Sequence, residues 1–158
     1  MKKWHYFIII LSVFFLMGCS ADSQKKEENE NLNISTLDLS KSNLENLSLK
    51  NYDVKAITSL NLSANQLKDL PESLKRCKKL NEIDLSDNQF EDFPEVLYDM
   101  PWIKKITMNN CKIKYIRSKI KKITNLEALL VSGNEIVNIS EEISLLPNLK
   151  YVDFSKNQ

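Results

Sequence analysis

Ile57-x-x-Leu60-x-Leu62-x-x-Asn65-x-Leu67 returns 23 residues later as Leu80-x-x-Ile83-x-Leu85-x-x-Asn88-x-Phe90. The same offsets then carry Ile103, Ile106, Met108, Cys111 and Ile113, and after them Leu126, Leu129, Val131, Asn134 and Ile136. Extended in both directions, the register is opened by Ile34, Ile57, Leu80, Ile103, Leu126 and Leu149, five steps with no insertion or deletion. Self-similarity at such a period means stacked supersecondary units, each burying its apolar face on its neighbours. Positions below are counted within each unit from its opening apolar residue.

Each unit is expected to supply a short strand around positions four to six, for example Leu60 to Leu62, with both ends inward and the middle residue outward. Successive strands would pair in parallel. The chain then returns through Leu70-Pro71-x-x-Leu74-x-x-Cys77, Phe93-Pro94-x-x-Leu97-x-x-Met100, and isoleucine- and leucine-rich equivalents starting at Ile116 and Ile139. Spacings of three and four predict a short helical or 3₁₀ turn. Pro71 and Pro94 suit its first position, and Ser140 before Glu141 and Glu142 suits an N-cap with acids in the first turn. In the first unit polar Asn51 replaces the apolar residue of the others, as expected of a terminal unit.

The pattern L-x-x-L-x-L-x-x-(N/C)-x-L of these units resembles the leucine-rich repeat family. The resemblance covers residues 34–158, about four-fifths of the chain. Asn65, Asn88, Cys111, Asn134 and Asn157 stand where the family has asparagine or cysteine, while the first unit departs with Ser42. It implies an α/β solenoid of about six 23-residue repeats. A short curved parallel sheet would form the concave face, with helical or 3₁₀ turns on the convex face. It also implies a non-catalytic module that holds a protein partner on that concave face.

The N-terminus has a different character. Lys2 and Lys3 precede an almost wholly apolar run from Phe7 to Met17, too short for a membrane span of about 20 residues but suited to a secretory signal. Leu16-Met17-Gly18-Cys19 resembles the lipobox of bacterial lipoproteins. That resemblance implies cleavage after residue 18, a covalent lipid on Cys19, and anchoring in a bacterial cell envelope. The place would be the outer membrane or cell surface if the organism has two membranes. Several acyl chains on one cysteine are enough for stable anchoring at ~0.8 kcal/mol per buried methylene. Residues 19–33 would be the lipidated cysteine and a flexible tether, since one large apolar residue cannot offset the ordering entropy of that polar stretch. Loss of Lys2 and Lys3 takes the 22 basic residues down by two against 21 acidic ones, a net charge of −1.

Charges alternate between units. Residues 80–102 hold acids and no base, and residues 103–125 hold bases and no acid. In register, Lys68, Glu91 and Lys114 stack at position twelve, and Arg76, Asp99 and Lys122 at position twenty. Glu82 faces Lys105, Lys112 faces Glu135, and Lys119 faces Glu142. The basic run from Lys112 to Lys122 therefore reads as pairing between repeats rather than as a nucleic-acid surface, and no nucleic-acid partner is expected.

Catalytic chemistry finds little to work with. His5 is the only histidine, which removes histidine-based nucleophile activation and metal ligation from the repeats. With only Gly18 and Gly133, no glycine-rich phosphate loop exists. Cys77 and Cys111 suit the core. Asp38, Asp84 and Asp153 lie ~10–14 Å from one another in sequence order, too far to share an ion. No enzyme, metal or cofactor is expected beyond the Cys19 lipid. The candidate ligand-binding residues are those of the concave columns: Asp38, Asn61, Asp84, Thr107, Leu130 and Asp153 at position five, with Glu82, Lys105 and Tyr151 at position three. Serines fill position seven in five of the six units, with Asn109 in the fourth, and leave room for a ligand to approach.

The last unit stops at position ten, so Val152 and Phe154 are expected beside an uncovered strand edge. Three readings of that edge stay open: a shortened protein, a dimer formed through it, and a ragged cap. The alternative functional class is accordingly a structural envelope lipoprotein that scaffolds or self-associates, or a remnant of a longer repeat protein.

Overall fold

The computed structural model describes residues 35–158. The signal segment, Cys19, the tether and Ile34 lie outside the described residues. Six strands, β1 (Thr36–Asp38), β2 (Ser59–Asn61), β3 (Glu82–Asp84), β4 (Lys105–Thr107), β6 (Ala128–Leu130) and β8 (Tyr151–Asp153), form one parallel sheet in sequential order. Every pairing joins residues 23 apart, such as Leu60 with Ile83 and Ile106 with Leu129. The strands occupy positions three to five, one residue earlier than the apolar pattern suggests. The inward–outward alternation holds: Leu60 and Leu62 are buried and Asn61 is half-exposed.

The return path contains 3₁₀ turns at Glu72–Arg76, Ser118–Lys122 and Glu141–Leu145, and one short α-helix, α1 (Glu95–Tyr98). Pro71 and Pro94 sit at the N-cap with extended backbone, one place before the expected first position. Ser140 is also an N-cap, but its hydroxyl donates to the Glu142 carboxylate rather than accepting from a backbone amide. In the first unit Leu49 and Val54 are buried where Asn51 cannot be. No helix among the described residues is long and apolar enough to cross a membrane.

A second, two-stranded parallel sheet is an addition to the expected architecture. β5 (Tyr115–Ile116) pairs with β7 (Asn138–Ile139) on the return side of units four and five. Its last bond runs from the Ser140 amide to the Ile116 carbonyl at 2.9 Å. The matching donors in units two and three are Pro71 and Pro94, which have no N–H to give. Proline thus bars this bond at units two and three, while Arg117, which has the amide, makes no matching bond to unit three.

Backbone groups between the strands and the return path find partners in the neighbouring unit. Position-six amides donate to position-five carbonyls of the next unit, as Leu62 does to Asp84 at 2.8 Å. Position-eight amides donate to position-seven carbonyls, as Ala64 does to Ser86 at 2.9 Å. Five units make this bond, and position eight adopts positive φ in all six: Lys41, Ala64, Asp87, Asn110, Gly133 and Lys156. Only one of these is glycine. Asp87 and Asn110 tolerate the conformation, whereas Lys41, Ala64 and Lys156 carry a cost of roughly 1–2 kcal/mol each.

Position nine closes the accounting. Asn88 Nδ2 donates to the carbonyls of Leu62 and Leu85, both at 2.9 Å, and its Oδ1 accepts from the Leu67 amide at 2.9 Å. Asn65, Asn134 and Asn157 repeat the arrangement. Cys111 keeps only a thin version, with its thiol 3.5 Å from the Leu85 carbonyl. Burial pushes that thiol up to about 11. Cys77 is likewise a buried free thiol whose pKa is raised by burial. One core hydroxyl, Tyr98 Oη, is buried without a hydrogen-bond partner, and its ring stacks on Phe93 with centroids 5.0 Å apart. Burial raises its pKa to about 12.

Replacing Asn88 by alanine leaves three buried backbone groups without partners and is expected to cost about 2–4 kcal/mol of unfolding free energy. Cys111→Asn supplies the missing acceptor and is expected to stabilise by about 1 kcal/mol. Chemical denaturation of the two variants beside the parent chain measures both.

Candidate functional site

The outward side chains of the main sheet make one continuous surface, with columns at positions three, five and seven. All nine residues singled out from the sequence lie in it: Asp38, Asn61, Glu82, Asp84, Lys105, Thr107, Leu130, Tyr151 and Asp153. None belongs to the hydrophobic core. The strand register sets Glu82 beside Lys105 and Asp84 beside Thr107, which neighbours Leu130, which neighbours Asp153.

Position five has a structural duty that the sequence pattern alone does not reveal. One oxygen of Asp38, Asn61, Asp84 and Asp153 accepts the amide of the residue two places on, at 2.9–3.0 Å, closing an Asx turn. Thr107 cannot do this. The Asn109 amide donates instead to Ser86 Oγ of the preceding repeat at 3.2 Å, and in the next unit, where Leu130 also lacks an acceptor, the Ser132 amide donates to Asn109 Oδ1 at 2.9 Å. Each aspartate therefore offers solvent only its second oxygen. Hydrogen bonds from the Ser155 hydroxyl and amide hold Asp153 below the usual carboxylate range. The position-seven serines are partly engaged as well, Ser132 and Ser155 sharing a 2.8 Å hydroxyl contact.

Glu82 and Lys105 are stacked neighbours, yet no ion pair joins them among the described residues. This differs from the register expectation, and both charged ends stand in solvent. Beyond them Ala128, half-buried Leu130 and Tyr151 (56% exposed) make an apolar end. The surface thus runs from acidic through one lysine to apolar.

Inter-repeat ion pairs do form on the return side, but mostly out of register. Asp99 lies between Lys75 at 3.0 Å and Lys122 at 3.3 Å rather than beside Arg76. Arg117 meets Asp92 at 2.9 Å and Lys119 meets Glu95 at 2.5 Å, leaving Glu142 to Lys121 at 3.9 Å. Lys112 does not pair with Glu135, nor Lys68, Glu91 and Lys114 with one another. Long side chains reach a residue or two off the 23-residue line, so register alone does not select the partner. At the margin of the main sheet Glu127 bridges Lys150 at 2.7 Å and Lys104 at 3.2 Å. No group of three histidine, cysteine, aspartate or glutamate residues among the described residues is placed to hold a metal ion.

Residues 55–99 match the family model described as Leucine Rich repeats (2 copies). No curated protein matches the sequence. Residues 55–99 thus carry leucine-rich repeats, and the parallel sheet of 23-residue units around them is consistent with a leucine-rich repeat solenoid. Domains of this class are typically non-catalytic modules that bind proteins.

Two measurements separate the roles of these side chains. Asp84→Asn keeps the Asx-turn acceptor, as Asn61 does naturally, and should leave stability unchanged. Asp84→Ala should lose about 1 kcal/mol. Thermal unfolding of both variants checks this. The bridged carboxylates also set a pH dependence. Hydrogen bonds from Lys75 and then Lys122 lower the Asp99 pKa, and those from Lys150 and then Lys104 lower that of Glu127. Their contribution is present above the ordinary carboxylate range and is lost as pH falls through the lowered folded values. A chain carrying Asp99→Asn with Glu127→Gln should therefore show a flatter midpoint-versus-pH curve below pH ~4, measured by thermal unfolding.

Proposed function

We propose that this chain is a membrane-anchored binding module that holds a protein partner on the outer face of its main sheet. The observation that carries the reading is the state of Glu82 and Lys105. They sit at the centre of the sheet as neighbours, yet both remain unpaired, while charges on the return side are largely tied to one another. Tyr151 and Leu130 add an exposed apolar contact one or two strands away. Acidic, basic and apolar elements in one row suit recognition by shape and charge.

Anchoring rests on Leu16-Met17-Gly18-Cys19, with Cys19 as the lipid-bearing residue and the bacterial cell envelope as the location. The alternative, a structural lipoprotein that scaffolds or self-associates through its C-terminal edge, is favoured by one observation. Val152 occupies a position buried in the other five strands of the main sheet, and it is 42% exposed.

A photo-crosslinking residue at Thr107 in the full-length chain, in its native membrane, is expected to trap one defined protein. The same residue at Lys121, on the return side, should not trap it. Glu82→Lys combined with Lys105→Glu should reduce the adduct at least tenfold. Equal trapping from both sites, or no effect of the reversal, would refute the binding face. Cys19→Ala should release the chain from the membrane fraction, and retention there would remove the lipid anchor from the account.

A further inference from the structure

We propose that the margin of the main sheet where the strands begin docks on an anionic bilayer, its lysines taking phospholipid headgroups. The inference rests on the membrane anchoring proposed above and adds a second, electrostatic contact to it. This margin is built from positions twenty-two and twenty-three of each unit and position two of the next. Its charged residues are Lys55, Lys78, Lys79, Lys104 and Lys150 against one acid, Glu127. Glu127 is shared, bridging Lys150 at 2.7 Å and Lys104 at 3.2 Å, so that trio keeps one positive charge. Lys55, Lys78 and Lys79 make no ion pair among the described residues. The bordering columns cancel: at position twenty Asp53 and Asp99 offset Arg76 and Lys122, and at position three Glu82 offsets Lys105. The far margin, positions eight to thirteen, mixes six acids with five bases. Net positive charge is therefore concentrated on one margin.

Part of this charge is held in place. Trp102 Nε1 donates to the Cys77 carbonyl at 3.0 Å, which fixes the indole, and the Lys78 ammonium lies 4.0 Å from the ring centroid. Lys79 follows it and is exposed. The occupant is identified by where the chain enters. Ser35, at position two, opens this same margin immediately before β1. Cys19, the proposed lipid-bearing residue, lies 16 residues upstream, a reach of at most ~55 Å. A lipid-held chain thus brings this margin to the bilayer at high effective concentration. Clustered lysines are drawn to anionic headgroups once they come within a Debye length of the surface. Docking by the margin leaves positions five and seven, further along each strand, free for a protein partner.

The test uses the full-length chain, purified from its membrane in mild detergent and reconstituted into vesicles of phosphatidylcholine, alone or mixed with phosphatidylglycerol. A trace of the lipid carries an acceptor dye on its headgroup. A fluorescent amino acid replaces exposed Asn125 on this margin or exposed Gln66 on the far one. Energy transfer from the Asn125 site should be at least twofold higher in the anionic vesicles and should fall to the neutral value at high salt. Transfer from the Gln66 site should show no such gain. Lys78→Glu with Lys79→Glu should abolish the gain at the Asn125 site. Lys68→Glu with Lys114→Glu, the same charge change on the far margin, should leave most of it. The proposal is overturned if transfer from the Asn125 site ignores lipid charge, if the Gln66 site gains as much, or if the two pairs of substitutions act alike. Flotation with the neutral vesicles reads the anchor by itself. A chain left behind there removes the anchor from the account, while the gain at the Asn125 site still decides the margin.

Discussion

Stacking units of fixed length puts one constraint above the others: backbone polar groups that no single unit can satisfy must meet their partners in the next. A three-residue strand cannot pair with itself, and a 3₁₀ turn satisfies few groups beyond its own. Inter-unit bonds at positions two, six, eight and ten therefore tie neighbouring units together, and the asparagine at position nine caps the carbonyls and amides left at the bend. An inserted residue would break this ladder as well as displace a core side chain. Both requirements act on the same 23-residue spacing, which explains why six successive units begin without a slip.

The apolar period carried the fold because burial and backbone pairing repeat together. Ile57, Leu60, Leu62 and Leu67 are each at most 2% exposed. Other features were less legible for identifiable reasons. Positive φ at position eight hides behind lysine and alanine, residues with no local preference for that conformation. The small β5–β7 sheet depends on the absence of proline at position fifteen, a signal present in the sequence but meaningful only once the return path is known. Charge partners depend on side-chain reach, so Asp99 finds Lys75 as well as Lys122.

The outward residues show the same division. Their placement in one surface follows from strand alternation and could be read directly. Their chemistry could not, because an aspartate at position five serves its own turn and the solvent at once. Glu82, Lys105 and Tyr151 at position three carry no such duty, which makes that column the freer one to vary with a partner. A rigid ladder behind a variable surface is a practical arrangement for recognition: the side chains change while the spacing does not.

Amide hydrogen exchange, resolved by residue, tests the ladder most directly. The amides of Leu67, Ile113 and Ile136 each donate to a position-nine asparagine and should be strongly protected, with the Phe90 amide, opposite Cys111, exchanging faster than all three. Exchange of Leu67 and Ile113 at the rate of freely exposed amides would contradict the account, because the asparagine column would then not be what joins one unit to the next.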